Sequence, residues 1–228
     1  PVYAVGSGHV LKLFPPQEAV HASIEARALA AVQGVLPIPT PQLIAAETQD
    51  GWPVLLMSQL AGERLVGAWA QLSLAERDRF ADELGAAVAA LHAIDSTPLA
   101  DFTPRWDEFV PAQLASAAER QRTRGLSPFW VEQVPDFLQR WMPPPVPRHV
   151  LLHTELMREH LVVAHDGVSW RLSGLFDFEP AMLGAAEYDF ASFGLFVSCG
   201  DARFLRRALR AYGYTNAALD EALSCRLM

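Results

Sequence analysis

The stretch HTELMREH, residues 153–160, lies between two short apolar segments, and LFDF follows at residues 175–178. The apolar segments at 149–152, 161–163 and 170–176 are short and bounded by turn residues such as Asp166-Gly167, so they predict three strands. Glu155 and Asp177 then stand at strand ends, where several strands converge. The stretch therefore predicts a small strand region that carries a carboxylate-based site.

Helical patterns surround these strands. Residues 74–94 carry one apolar stripe at helical spacing, and residues 130–142 predict a further amphipathic helix. The run Pro143-Pro144-Pro145-Val146-Pro147 predicts a stiff extended connector into the strands. Helical patterns resume from Tyr188, through 204–212, and again from Asn216. Residues 61–228 are thus predicted to form a mainly helical lobe that carries the strands.

The first sixty residues have a different pattern. Residues 2–5 and 9–14 are short apolar runs on either side of Gly6-Ser7-Gly8, which predicts a hairpin. A helical pattern at 18–32 ends before a proline-rich link, and residues 54–60 predict another strand. The order strand, strand, helix, strand predicts a small antiparallel-sheet lobe over residues 1–60, and the whole chain an α+β fold of two lobes.

Composition excludes several classes of protein. Hydrophobic residues make up 51% of the 228 residues and charged residues 19%, which indicates a compact globular chain. The net charge of -8 argues against binding nucleic acid or an anionic membrane and would attract a cationic small molecule. No apolar run is long enough to span a bilayer and no leader pattern opens the chain, so a cytoplasmic location is expected. Nothing in the sequence indicates an oligomeric state.

Zinc chemistry and a disulfide framework are also disfavoured. Cys199 and Cys225 form no CxxC pair, and the His153-x-Glu155 spacing lacks the downstream P-C-x-x-C of a zinc deaminase. Gly6-Ser7-Gly8 lacks the spacing of a phosphate-binding loop and is interpreted as a turn.

Phosphoryl transfer from a nucleotide fits the remaining residues. It needs a cation near the phosphates, a carboxylate for the acceptor hydroxyl, and ligands for a bridging metal ion. Lys12 lies on an early strand and Glu25 on the next helix, while Glu155, His160 and Asp177 surround the later strands. The residue types occur in an order that suits this chemistry.

In this order the sequence resembles the aminoglycoside phosphotransferase and choline kinase family. The family has H-G-D-x-x-x-x-N, then an apolar strand ending in I-D-[WF], then G-D-x-x-Y-D-[LF]-A. Here HTELMREH at 153–160, LFDF at 175–178 and GAAEYDFA at 184–191 occupy these places. The resemblance covers nearly the whole chain, but the family's first strand and glycine-rich loop are absent from the start and some helix from the end.

The resemblance implies a two-lobed protein-kinase-like fold that binds ATP between the lobes. Lys12 is then expected to contact the phosphates, and Glu25 to pair with Lys12. Residues 54–60 resemble the hinge, where backbone groups near Ser58 and Leu60 would hold adenine.

The same resemblance assigns the chemistry, with two departures. Glu155 occupies the place of the catalytic Asp and would orient the acceptor hydroxyl, since reach to that hydroxyl is what matters. Asp177 and His160 would hold Mg2+, although His160 replaces the family's Asn and Mg2+ prefers oxygen ligands. His153 is expected to pack behind the loop, and Asp189 to bind the loop's backbone.

Two functions follow from the resemblance. The first is an ATP-dependent small-molecule kinase whose acceptor is an aminoglycoside, for instance of the hygromycin kind; choline, methylthioribose, homoserine and macrolide acceptors stay open. The second is a pseudokinase, a nucleotide-binding or scaffold module that has lost catalysis through the changes at Glu155 and His160. Retention of both Lys12 and Asp177 favours the enzyme.

Overall fold

The computed structural model describes residues 1–141 and 148–227. Its first part is a four-stranded antiparallel sheet in the order β1-β2-β4-β3, with helix α1 (Ala19–Val32) packed against it. The strands are β1 (Val2–Val5), β2 (His9–Leu13), β3 (Leu43–Gln49) and β4 (Trp52–Ser58). Gly6 and Gly8 have positive φ in the β1–β2 turn, as a tight hairpin requires.

The expected order strand, strand, helix, strand was wrong in one respect, because β3 was not predicted. Its sequence, LIAAETQ, is rich in residues that disfavour strands, and most of it is exposed at the edge of the sheet. Pairing with β4 supplies its stability, after a bulge between Leu43 and Ala45. The available sequence signal was Asp50-Gly51, a typical hairpin turn pair, and both residues have positive φ.

The second part of the chain is mainly helical. Its helices are α2 (Leu65–Ala68), α3 (Leu74–Ala93), α4 (Trp106–Thr123), α5 (Pro128–Val131), α6 (Val134–Trp141), α7 (Glu187–Ser192), α8 (Ala202–Tyr212) and α9 (Glu221–Arg226), and a π-helical segment spans Phe193–Ser198. A capping box between Ser73 and Glu76 starts α3. α3 packs closely against α8, because Gly85 has no side chain where the carbonyl oxygen of Ala208 approaches.

The single helix expected at 130–142 was wrong. The chain instead forms α5 and α6 with a break between them, and Trp130 is 56% exposed. Pro135 explains the break, since it has no N–H to donate to the carbonyl oxygen of Val131, the last residue of α5. The expected connector at 143–147 lies outside the described residues.

In the described portion of this helical part lie five short strands. They are β5 (Glu63–Arg64), β6 (Val150–Leu152), β7 (Leu161–His165), β8 (Trp170–Leu175) and β9 (Met182–Gly184). β5, β7 and β8 form one antiparallel sheet, and β6 pairs with β9 in another. The three strands predicted from the sequence are therefore present.

One hydrophobic core joins the two parts of the chain. It includes Phe14 and Leu55 from the first sheet and Phe80, Leu91 and Phe178 from the second part. The prediction of an α+β fold, with an antiparallel-sheet part followed by a mainly helical part, is confirmed. Among the described residues, no helix combines the length and the apolar character that crossing a membrane would require.

Candidate active site

Lys12 is the centre of a cluster of charged side chains. Its Nζ lies 2.8 Å from Glu25 Oε2, 2.7 Å from Asp177 Oδ1 and 2.9 Å from Glu179 Oε2. β2 supplies Lys12, α1 supplies Glu25, and the segment after β8 supplies the other two carboxylates. The structure thus joins Lys12 to Asp177, which lies 165 residues away in sequence.

Burial and charge act against each other in this cluster. Burial works against the charged form of Lys12, but the carboxylates of Glu25 and Asp177 raise its pKa above the usual range. Burial raises the pKa of Glu25 to about 7, although the Lys12 ammonium acts in the opposite direction. Burial would also raise the pKa of Asp177, but Lys12 outweighs it and the net pKa is lowered. Lys12 is therefore a fixed positive charge.

Asp177 faces Lys12 on one side and His160 on the other. Its backbone has φ +71°, a left-handed conformation that is uncommon outside glycine and turns the chain sharply after β8. Oδ1 contacts Lys12, while Oδ2 lies 3.3 Å from His160 Nε2. The other ring nitrogen of His160, Nδ1, lies 3.0 Å from the carbonyl oxygen of Glu155.

The loop that carries Glu155 is held from below by Asp189. This fully buried carboxylate accepts hydrogen bonds from the backbone N–H of His153 at 3.0 Å and of Thr154 at 2.6 Å. Its Oδ2 also lies 3.0 Å from Nε2 of His92, whose Nδ1 lies 3.0 Å from the Tyr212 hydroxyl. Thr154 has φ +69°, so these bonds fix a strained turn directly before Glu155. The expected role of Asp189 is confirmed.

His153 supports the same loop from inside. Its ring is fully buried, Nε2 donates to the carbonyl oxygen of Phe176 at 3.0 Å, and the ring packs edge-on against Phe178 at 4.7 Å. Burial lowers the pKa of His153, so it is a neutral structural residue. This agrees with the expectation that it packs and hydrogen-bonds behind the loop.

Sequence reasoning missed Arg158, which holds the far end of the loop. Its Nε donates to the carbonyl oxygen of Val197 at 2.8 Å, and its guanidinium lies 3.5 Å from the ring centroid of Trp69. Burial lowers the pKa of this guanidinium. No local signal in the sequence links Arg158 to Trp69 or Val197, because these contacts form only when distant segments of the chain pack together.

A cleft of about 590 Å3 opens above the charged cluster. Lys12, Glu25, His160, Asp177 and Glu179 line its polar end, and its remaining wall includes the apolar residues Val10, Met57, Val162 and Phe176. The expected hinge residues Ser58 and Leu60 line it too. The Ser58 N–H donates to the carbonyl oxygen of Gln42, so that N–H is not available to a ligand in the cleft.

A second pocket, of about 620 Å3, begins on the other side of the loop. Glu155 lines this pocket rather than the cleft, and Glu179 lines both. Phe109, Met182 and Tyr188 contribute to its apolar and aromatic wall. Glu179, which could line an acceptor site or assist a metal ion, therefore lies between the two cavities.

Within residues 1–141 and 148–227, two groups of side chains could hold a metal ion. One ligand atom from each of Glu155, His160 and Asp177 lies within 4.8 Å of the others, and the same is true of Glu25, Asp177 and Glu179. The second group surrounds Lys12, whose positive charge opposes a cation there. The first group offers two carboxylates and one imidazole, of which only the carboxylates suit Mg2+.

The model of the family described as "Phosphotransferase enzyme family" matches residues 1–223. A comparison with curated proteins finds no match.

Similar solved structures share the fold at low sequence identity. A GDP complex of aminoglycoside 2'-phosphotransferase-IIIa superposes with a TM-score of 0.81 and 19% identity, covering 99% of this chain and 76% of that one. The apoenzyme of a macrolide 2'-phosphotransferase from Brachybacterium faecium has a TM-score of 0.67 and 20% identity, covering 95% and 74%. A streptomycin-ATP ternary complex of APH(2")-IIa has a TM-score of 0.65 and 16% identity, covering 96% and 80%.

Proposed function

Because this chain belongs to the phosphotransferase enzyme family over residues 1–223, we propose that it transfers the γ-phosphate of ATP to a hydroxyl group of a small molecule. The observation that carries the proposal is the cluster around Lys12, in which a largely buried ammonium lies at the polar end of a cleft with Asp177 beside it. A fixed cation and an adjacent carboxylate are the groups that phosphoryl transfer requires.

The 590 Å3 cleft is the proposed nucleotide site. Its apolar wall, including Val10, Met57 and Phe176, suits a flat purine base, and its polar end suits phosphates. Nucleotide complexes of similar structures, with GDP, ADP or ATP, support the use of a nucleotide. Near the base, the proposed contacts are the Ser58 carbonyl and the Leu60 backbone, and the two lobes are proposed to meet at residues 60–62.

Glu155 is the proposed catalytic residue. In the reaction the acceptor oxygen bonds to the γ-phosphorus as the bond to the β,γ-bridging oxygen breaks, and the hydroxyl proton passes to the Glu155 carboxylate. Lys12 neutralises phosphate charge while Glu25 and Asp177 fix its position. Asp189, through the backbone of His153 and Thr154, sets the position of the Glu155 loop.

A divalent cation would lie between Asp177 and His160, with Glu155 within reach. When bound, such an ion supplies neutralisation of the charge on the transferring phosphate. The oxygen ligands of Asp177 and Glu155 fit Mg2+, whereas the imidazole of His160 does not.

The 620 Å3 pocket is the proposed acceptor site, and an aminoglycoside is the proposed acceptor. Glu155 and Glu179 would attract its ammonium groups, and the net charge of -8 favours a cation in general. Solved complexes of similar proteins contain kanamycin or gentamicin, although a macrolide phosphotransferase is also among them.

The test is nucleotide turnover with a panel of acceptors. ATP and Mg2+ are incubated with aminoglycosides, a macrolide, choline and homoserine, and phosphorylated product is detected by mass spectrometry. Asp177→Ala should abolish product, while the matched surface change Asp82→Ala, which removes an α3 carboxylate that pairs with Arg207 on α8, should leave it unchanged.

The absence of product with every acceptor in the panel would distinguish the kinase from the pseudokinase. Nucleotide binding without product on any acceptor, unaffected by Asp177→Ala, would refute the kinase and support a nucleotide-binding module. Product formation by Asp177→Ala at the wild-type rate would refute the assignment of the active site around Asp177.

A further inference from the structure

His160 is oriented in the way that metal-binding histidines commonly are. Its Nδ1 lies 3.0 Å from the backbone carbonyl oxygen of Glu155, and because a carbonyl only accepts, Nδ1 carries the hydrogen. In the neutral ring this leaves the lone pair on Nε2. A backbone carbonyl that fixes one ring nitrogen and frees the other for a metal is a recurrent arrangement around bound ions.

The freed nitrogen points at a carboxylate oxygen that Lys12 does not use. Asp177 contacts Lys12 through Oδ1, and its Oδ2 lies 3.3 Å from His160 Nε2. Glu155 completes a three-residue group in which one ligand atom from each side chain lies within 4.8 Å of the others. The Glu155 carboxylate is about half exposed, so it is free to close on an ion.

The ring has little freedom to turn away. The His160 side chain is 13% exposed, and the ring lies 5.7 Å from the ring of Phe176 and 6.0 Å from that of His153. His160 Nε2 and Asp177 Oδ2 are therefore held in place before any ion arrives, and Glu155 can close on the ion afterwards.

We propose that this group binds a first-row transition-metal ion, with His160 Nε2 and Asp177 Oδ2 as ligands, in preference to Mg2+. Imidazole is a good ligand for the later first-row ions, whereas Mg2+ demands oxygen and retains its water. The proposal rests on the proposed function only for the ion's role in catalysis. Binding itself is a property of the three side chains and is measurable without nucleotide or acceptor.

The experiment uses Co2+ as the probe, because its visible absorption reports nitrogen and oxygen ligands directly. Co2+ and Mg2+ are titrated separately into the whole chain, and binding is followed by calorimetry and, for Co2+, by absorption. Co2+ should bind at least about tenfold more tightly than Mg2+, since an imidazole ligand discriminates between them.

Variants assign the nitrogen ligand. His160→Asn should weaken Co2+ binding by about tenfold or more and shift the absorption spectrum, while Mg2+ binding is retained because an amide oxygen suits it. His165→Asn, on the exposed end of β7, is the matched control and should change neither. Thermal unfolding of each variant without metal shows that the fold is intact.

Two results would overturn the inference. Equal affinity for Co2+ and Mg2+ would show that His160 is not a ligand, and so would unchanged Co2+ binding by His160→Asn. Turnover with acceptors is scored separately, so a failed kinase assay does not decide metal binding, and a failed metal titration leaves the kinase open.

Discussion

Replacing Asp189 by Asn should destabilise the fold far more than an isosteric change normally does. Asp189 accepts hydrogen bonds from the N–H groups of His153 and Thr154 and contacts His92 Nε2, and none of its surface is exposed. An Asn keeps one oxygen and turns the other into an NH2 group. In either orientation that NH2 faces at least one buried backbone N–H, donor against donor.

The magnitude follows from counting these groups. One buried N–H without an acceptor costs about 1 to 3 kcal/mol, and loss of the charge on the remaining bonds costs about 1 kcal/mol more for each. The expected loss is about 3 to 5 kcal/mol, a large share of the roughly 5 to 15 kcal/mol that stabilises a typical domain. Activity should fall with it, because Thr154 directly precedes Glu155.

Urea unfolding followed by tryptophan fluorescence measures the loss. The matched control is Asp201→Asn, since Asp201 also accepts two backbone hydrogen bonds, from Arg203 and Phe204 at 3.0 Å each, but at the start of α8 near solvent. Asn caps a helix as well as Asp does, so the control should change stability by less than about 0.5 kcal/mol. Equal effects of the two changes would refute the reasoning, because burial of the acceptor would then not matter.

Three further predictions concern stability. Burial raises the pKa of Glu25 from 4.5 to about 7, so the stability that protonated Glu25 contributes is complete below pH 4.5 and is lost as the pH rises to about 7. In urea unfolding across this range, Glu25→Gln should reduce the fall in the free energy of unfolding by about 1 to 3 kcal/mol. An unchanged dependence of that free energy on pH would contradict the prediction. Gly85→Ala should cost about 1 to 3 kcal/mol, because the new Cβ would lie 2.2 Å from the carbonyl oxygen of Ala208, whereas Gly194→Ala, with its nearest contact at 3.8 Å, should be nearly neutral in thermal unfolding. Ser73→Ala should cost about 0.5 to 2 kcal/mol by removing the capping box of α3, and the loss should persist in high salt.

Features encoded in contiguous residues could be predicted from the sequence. The strands around residues 150–175 and the stripe of α3 depend on local spacing, and both are present in the structure. The turn at Asp166-Gly167 was likewise visible, since the two residues that favour it are neighbours. The convergence of Lys12, Glu25 and Asp177 followed from their order in a known family pattern.

Features that depend on distant packing could not be predicted. β3 is a strand because β4 pairs with it, although its own residues disfavour strands. His92 contacts Asp189 across 97 residues and Tyr212 across 120, and neither neighbour has a local pattern that marks it. The approach of Glu179 to Lys12 depends on the left-handed turn at Asp177. The sequence does not predict this backbone conformation for an aspartate.

Glu179 faces both cavities and holds Lys12 at 2.9 Å. A cationic molecule in the 620 Å3 pocket could pair with Glu179. This pairing would withdraw one of the three carboxylates from Lys12, and the ammonium would then be more available to bind phosphate. Linkage makes this effect mutual, so phosphate on Lys12 would release Glu179 for the cation. A single carboxylate shared in this way makes each of the two ligands an effector of the other's affinity.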